Sequence, residues 1–477
     1  MEDVKGLLGG LLVAALAAGC AESPGSDPAE GAGSETSAFY VQAGASEGGD
    51  GSASNPFSSL SGAAAVAPPN ATIFVLAGDA EAPIDGGIRL QPGQKLIGLA
   101  AEGRNSADPE AMPRLTNTTD ALGGAVIQLA ERNEISGIHL VDLRSHGIVA
   151  STVNPSGTKI QHVAVTGAAE SEEIIWSIQL EVPSGAVKDV SVTDSVFRDG
   201  RDLGGIQVVH SGESSGSYEF ARNDFSDLGG RAYHLQSRDT SRIDAEILDS
   251  SADNIGRGER NSDSILPHLQ NRSTQNIVVR NYRFQNTNQE GSPSNCGLEA
   301  FIEGAPFPNA ENYCDGCELT LEIVDSVFEQ PVTDGIQLVN FGSNTHLDVR
   351  IRGSRIIGAN PQQVGGGLSL LAQNADNAGS RTTLLVENTD IVDSAAFGFA
   401  LSDQGEGHTA TVDLGGGELG SVGNNRILGS ASGEAQIING QVIAKNNWWG
   451  GAEPHADLQG ESALEADPAL DSDPRPN

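Results

Sequence analysis

The chain has 477 residues and carries 64 Asp and Glu against 27 Lys and Arg, a formal charge of −37. That balance excludes nucleic acid as a partner and excludes electrostatic docking on an anionic membrane, since both need a positive footprint. Apolar residues reach 38% and recur in strand-like runs, so the chain is not disordered throughout. Length alone suggests two or three domains, but a solenoid absorbs it as one unit. The acidity, with only five lysines, suits salty or extracellular water, or follows from genomic composition.

The first predicted element is the apolar stretch Leu7 to Ala18, which runs into Gly19 and Cys20. It is shorter than the roughly 20 apolar residues that span a bilayer and suits the apolar core of a secretory signal, residues 1–19. The small residues before Cys20 resemble a bacterial lipobox. That implies cleavage ahead of Cys20, lipid on Cys20, and a place in the cell envelope, at the outer membrane or secreted. Glu2 and Asp3 beside Lys5 depart from the usual basic start, and Leu16 sits one place further from the cysteine than the usual pattern. A plain signal with an incidental cysteine is the alternative. Residues 20–38 hold no large apolar side chain before Phe39 and read as a flexible tether.

Beyond the tether come Phe39-Tyr-Val41, a Gly/Asp-rich loop, Asn55-Pro-Phe57, Leu60, an Ala-rich stretch and Ala71-Thr-Ile-Phe-Val75. Gly86-Gly-Ile-Arg-Leu-Gln-Pro-Gly-Gln-Lys-Leu-Ile-Gly98 follows. From about Thr72 onward, short strands alternate with Gly, Asn, Asp and Ser, and segments echo one another. Val192-Thr-Asp-Ser-Val-Phe197 precedes Gly205-Ile-Gln-Val-Val209, as Ile323-Val-Asp-Ser-Val-Phe328 precedes Gly335-Ile-Gln-Leu-Val339. Such a unit cannot bury its apolar face alone, so copies must stack. Alternation sends Ile206, Val208, Ile336 and Leu338 inward, and the Asp/Asn-Ser corners tolerate left-handed backbone. These features predict an all-β, single-stranded parallel β-helix with rungs about 4.8 Å apart and loops of unequal length. A β-sandwich is the alternative, but it does not call for near-identical motifs.

These repeats resemble the right-handed parallel β-helix proteins of the pectin lyase-like superfamily. The segment from Phe39 to Gly98, with Asp413-Leu-Gly-Gly-Gly417 and Lys445-Asn-Asn-Trp-Trp-Gly450, resembles bacterial surface lipoproteins of unknown function. The resemblance implies a cap and first rungs over 39–98 with a short helix near Phe57 to Ala67. It implies a β-helix over 99–450 and leaves 451–477 as a flexible acidic tail. It says little about chemistry, because the superfamily holds lyases, hydrolases and noncatalytic binders.

Cys314 and Cys317 form a C-x-x-C pair with neither a second zinc half-site nor a thioredoxin-like context. In an oxidising compartment a disulfide from Cys296 to Cys314 or Cys317 is expected, stapling the loop Gly304 to Asp315 and leaving one thiol.

Polygalacturonases of this fold use Asn-x-Asp, a paired Asp, Gly-His-Gly and Arg-x-Lys on adjacent rungs. Asn388-Thr-Asp390 and Ser145-His-Gly147 are fragments in reversed order, and the Asp pair and Arg-x-Lys are missing, so both read as polar corners. The Arg-x-Pro-x-x-Arg-like signature of pectate lyases is also missing. Aligning the repeats places Gln207, His234, Glu299 and Gln337 in one outward column with His268 alongside. His234, His268 and Glu299 are thereby candidates for proton transfer, for metal binding or for hydrogen bonds to sugar hydroxyls, and Gln207 and Gln337 for ligand binding, against an ordinary hydrated ladder. Asp142, Arg144 and His146 form a second outward polar group. Trp448 and Trp449 either stack a sugar or cap the solenoid. Glu47 to Asp50 with Ser52 could hold Ca²⁺, though without EF-hand spacing. No other metal or cofactor is implied.

The expected function is that of a monomeric envelope lipoprotein presenting a β-helix for glycan or cell-surface binding without catalysis. The alternative is a divergent polysaccharide lyase or glycoside hydrolase acting on an acidic polysaccharide.

Overall fold

The computed structural model describes residues 37–78, 82–100, 106–151, 153–256, 262–286, 296–304, 313–360, 366–372, 378–451 and 453–475. The signal segment, Cys20 and the tether up to Thr36 lie outside the described residues. Among the described residues no helix is long and apolar enough to cross a membrane.

The chain coils as a right-handed parallel β-helix with three faces. First-face strands run from Ala38–Gln42 to Ala463–Glu465, second-face strands from Ile84–Asp85 to Arg426–Leu428, and third-face strands from Ile88–Arg89 to Ala456–Gln459. Among the described residues, thirteen strands stack on the third face in strict rung order. Each pairing is parallel, as with Ile206 opposite Tyr233 and Leu298 opposite Ile336. An antiparallel sandwich is thereby ruled out.

Inward side chains stack rung on rung. Phe197 lies over Phe225 with ring centroids 4.9 Å apart, and Phe284 pairs with Phe328 further along the same face. At the corner between the first and second faces, Asp194, Asp249, Asn281, Asp325 and Asn388 have positive φ. The next residue forms a buried polar ladder: the Ser195 amide donates to Asn223 Oδ1 at 3.2 Å, and the Asn223 amide to Ser250 Oγ at 3.1 Å. This explains the repeated Asp/Asn-Ser pair, since one residue supplies the left-handed turn and the next satisfies buried amides. The repeated glycine ahead of the third face has a steric cause. A Cβ on Gly205 would lie 2.4 Å from both the Ala232 carbonyl oxygen and the Phe225 ring.

The N-terminal cap contains a helix, Leu60–Val66, shorter than the expected Phe57 to Ala67. Ser59 caps it by accepting from the Gly62 amide, and Leu60 and Ala63 face the core. At the other end the structure corrects one expectation. The segment after Gly450 is not a free acidic tail: Ala456–Gln459 pairs with the third face and Ala463–Glu465 with the first. Open strand edges carry unpaired N–H and C=O groups, and these short strands satisfy the last rung. Arg475 then fastens the segment, its Nε 3.0 Å from Asp390 Oδ1 and its Nη1 2.9 Å from the Asn424 carbonyl. The two tryptophans also part company, since Trp449 is 3% exposed and packs in the core, while Trp448 is half-buried.

The expected disulfide is corrected as well. Cys314 bonds Cys317, with Cα atoms 5.4 Å apart, and Cys296 is a free, buried thiol 3.2 Å from Thr333 Oγ1. Cys296 stands before the strand Leu298–Ile302 and the other two cysteines after it. Opposite ends of a strand are about 17 Å apart, well beyond the roughly 7 Å that a disulfide bridges.

Candidate functional site

The third face carries the polar groups of interest, and its register sorts the predicted column. Gln207 lies opposite His234, and Glu299 opposite Gln337. Leu266 occupies the rung between His234 and Glu299, and His268 is opposite Gln236, two residues along. His268 is therefore not in the His234 column, although the two rings stack at 6.0 Å.

Two residues before the strands Tyr233–Ser237, Ile265–Leu269, Leu298–Ile302 and Ile336–Asn340 lies a column that the sequence reading missed, comprising Arg231, Asp263, Cys296 and Asp334. Asp263 and Asp334 immediately precede Ser264-Ile265 and Gly335-Ile336. An acid directly ahead of the repeated strand start was the signal available. Asp263 Oδ2 is 3.7 Å from Arg231 Nη2, and Asp263 Oδ1 accepts the Cys296 amide at 3.1 Å. Asp334 accepts the Gly366 amide at 2.7 Å and Ser369 Oγ at 2.6 Å on one oxygen, and Gln337 Nε2 at 2.9 Å on the other. Gln337 is thus committed to Asp334.

Glu299 stands on the rung between these two acids. Burial, the Asp263 charge and a hydrogen bond to Asp263 together hold its carboxyl well above the usual carboxylate range. Burial lifts Asp334 to about 6 against the bonds it accepts. Three acids on consecutive rungs, with the carboxyl of the central one raised well above the usual range, form the arrangement from which acid and base roles are drawn.

Next to the acids, His234 is 9% exposed, and burial holds its imidazole well below the ordinary range, with Arg231, His268 and Arg238 pushing the same way. A group so strongly disfavoured as a cation stays a neutral hydrogen-bonding imidazole. His268 is also lowered by burial, against the Glu303 carboxylate that its Nε2 meets at 2.9 Å. Gln236 Nε2 approaches His268 Nδ1 at 3.4 Å, and Arg238 Nη2 donates to Gln236 Oε1 at 2.9 Å.

Asp142, Arg144 and His146 do not act together. Asp142 is an exposed left-handed corner residue, Arg144 acts electrostatically on Asp85, and His146 Nδ1 accepts the Trp176 amide at 2.9 Å. Asn388 is a left-handed corner accepting from Asn424 Nδ2 at 2.8 Å, and Asp390 is ion-paired with Arg426 and Arg475. Asp50 accepts the Ser52 amide at 2.9 Å in a local turn. Among the described residues, no group of three or more His, Cys, Asp or Glu could hold a metal ion.

No protein-family profile and no curated protein matches the chain. Among solved structures, the catalytic unit of a thermostable GH87 alpha-1,3-glucanase from Streptomyces thermodiastaticus strain HF3-3 covers 93% of this chain and 71% of its own, with TM-score 0.51 and 9% identity. The A-module of a mannuronan C-5 epimerase from Azotobacter vinelandii covers 84% and 92%, with TM-score 0.46 and 10% identity. A pectate lyase covers 73% and 82%, with TM-score 0.42 and 13% identity. At these identities the likeness bears on the fold alone, and the fold is the right-handed parallel β-helix.

Proposed function

We propose that this protein is a glycoside hydrolase that cleaves a polysaccharide laid across the third face. The observation that carries the reading is the run Asp263, Glu299 and Asp334 on successive rungs, where burial and Asp263 raise the Glu299 carboxyl well above the usual carboxylate range. In the step that follows, Glu299 gives its proton to the glycosidic oxygen as the bond from C1 to that oxygen breaks. Asp334, ionised above about pH 6, takes a proton from the water whose oxygen bonds to C1. Solvent then returns a proton to Glu299 and removes one from Asp334. The absence of polygalacturonase motifs, which favoured a noncatalytic binder, does not weigh against these acids, since they use other positions.

The envelope location is part of the same proposal, with lipid on Cys20 tethering the enzyme where polysaccharide is presented. Cys20→Ser should move the protein from the membrane to the soluble fraction, and unchanged fractionation sinks the anchor.

Activity is tested by reducing-sugar release from a panel that includes an α-1,3-glucan, polygalacturonate and alginate. Glu299→Gln should lower kcat by roughly 10²–10⁴-fold without changing the melting temperature. Release of an unsaturated uronate product would replace hydrolysis by elimination. Binding without turnover of any polysaccharide would restore the noncatalytic reading.

A further inference from the structure

The site holds two buried hydrogen-bond donors without partners. His234 Nε2 and Arg231 Nε have no hydrogen-bond partner among the described residues. They sit three residues apart at the start of one third-face strand, and Arg231 is the largest charge acting on His234. Leaving a buried donor unpaired is costly, more so for a charged group, so two together call for an acceptor that arrives from outside.

The hydrogen-bond ladder fixes which proton His234 carries. Gln179 Nε2 donates to Gln207 Oε1 at 2.9 Å, so Gln207 turns its own Nε2 toward His234 Nδ1 at 3.1 Å. Nδ1 is then the acceptor, and a neutral ring must hold its hydrogen on Nε2. His268 repeats the design, with Gln236 on Nδ1 and Nε2 donating to Glu303. On that rung a carboxylate of the protein accepts the proton; on the His234 rung nothing does. Asp263 approaches Arg231 Nη2 only to 3.7 Å and leaves the guanidinium Nε unused.

From these contacts we infer that Arg231 and His234 form a subsite for an anionic sugar substituent, a uronate carboxylate or a sulfate ester, two rungs before Glu299. The inference rests on the hydrolase reading for its place in a reaction but not for its binding. The guanidinium supplies charge and one donor, and the imidazole supplies a second donor that stays neutral. Arg238, through Gln236, adds positive potential along the same strand. The subsite gives the acids a sugar held in register, one rung from Asp263 and two from Glu299. His234 contributes as a binding residue, since it transfers no proton in the step.

Calorimetric titration tests the subsite with trigalacturonate, its methyl ester, and sulfated and unsulfated maltotriose. One acidic sugar should bind at least about tenfold more tightly than its neutral counterpart, and which one does identifies carboxylate or sulfate. Arg231→Gln and His234→Phe should each remove most of that preference. The long-range ¹H–¹⁵N spectrum of the free protein at pH 7 should show His234 with hydrogen on Nε2. Equal or absent binding of all four sugars, retention of the preference in both variants, or hydrogen on Nδ1 would overturn the subsite. Tight acidic-sugar binding by a protein that degrades nothing would keep the subsite and remove the hydrolase.

Discussion

His268 Nε2 meets Glu303 Oε2 at 2.9 Å, joining the middle of one third-face strand to the end of the next. Gln270 donates to the same carboxylate oxygen, so Glu303 closes two donors at once. Burial acts to raise the Glu303 carboxyl, yet the bonds from His268 and Gln270 outweigh it and hold the group below its usual range. Glu303→Ala should therefore destabilise the protein by about 1–3 kcal/mol, because two buried donors lose their acceptor. Glu303→Gln, which keeps an acceptor oxygen, should cost less. Urea unfolding at pH 7 separates the two, and equal losses would show that the charge rather than the acceptor matters.

Asp334 gives the fold a pH dependence of defined sign. Its carboxyl rises from 3.8 to about 6 in the folded state, chiefly through burial. The folded protein thus holds a proton that the unfolded chain releases. This stabilising contribution is full below pH 4 and is lost as pH rises through 6, amounting to about 3 kcal/mol in all. Compared with the wild type, Asp334→Asn should show a flatter stability profile between pH 4 and 7. Parallel profiles would contradict the raised carboxyl. The same ionisation should set an ascending limb of kcat near pH 6, if Asp334 is the base.

The thiols make a third prediction. Cys296 is buried, and its thiol is pushed well above the ordinary range by burial and by Asp263, Asp334 and Glu299. Iodoacetamide should leave Cys296 unmodified in the native protein and modify it after denaturation. Peptide mapping should recover Cys314 and Cys317 linked to each other. The bond closes a loop with a sequence separation of only 3, so Cys314→Ser with Cys317→Ser should lower stability by no more than about 2–3 kcal/mol. A peptide linking Cys296 to either partner would overturn the pairing.

Trp448 and Trp449 should behave unlike each other. Trp449 packs in the core at 3% exposure, so Trp449→Ala should cost about 3–5 kcal/mol. Trp448 meets Arg426 through its backbone and is half-buried, so Trp448→Ala should cost under about 2 kcal/mol. Thermal melts of the two variants check this, and comparable losses would refute the assigned packing.

The sequence by itself determined the architecture, because its signals are local and repeated. Asp194-Ser195 and Asp325-Ser326 mark a corner, and Gly205 and Gly335 mark the start of a strand where no Cβ fits. Alternation along Ile206 and Val208 assigns the inner side without reference to any distant residue.

Only the tertiary structure decided which polar residues meet. Gln207 and His234 are 27 residues apart on successive rungs, but Gln236 and His268 are 32 apart, so no single period carries one column into the next. His268 therefore appeared beside His234 in an alignment of motifs and falls two residues along in the fold. Asp263 and Asp334 escaped notice because each looks like one more acidic corner in a chain of charge −37. What distinguishes them is desolvation on the flank of Glu299, and desolvation depends on neighbours that unequal loops bring together.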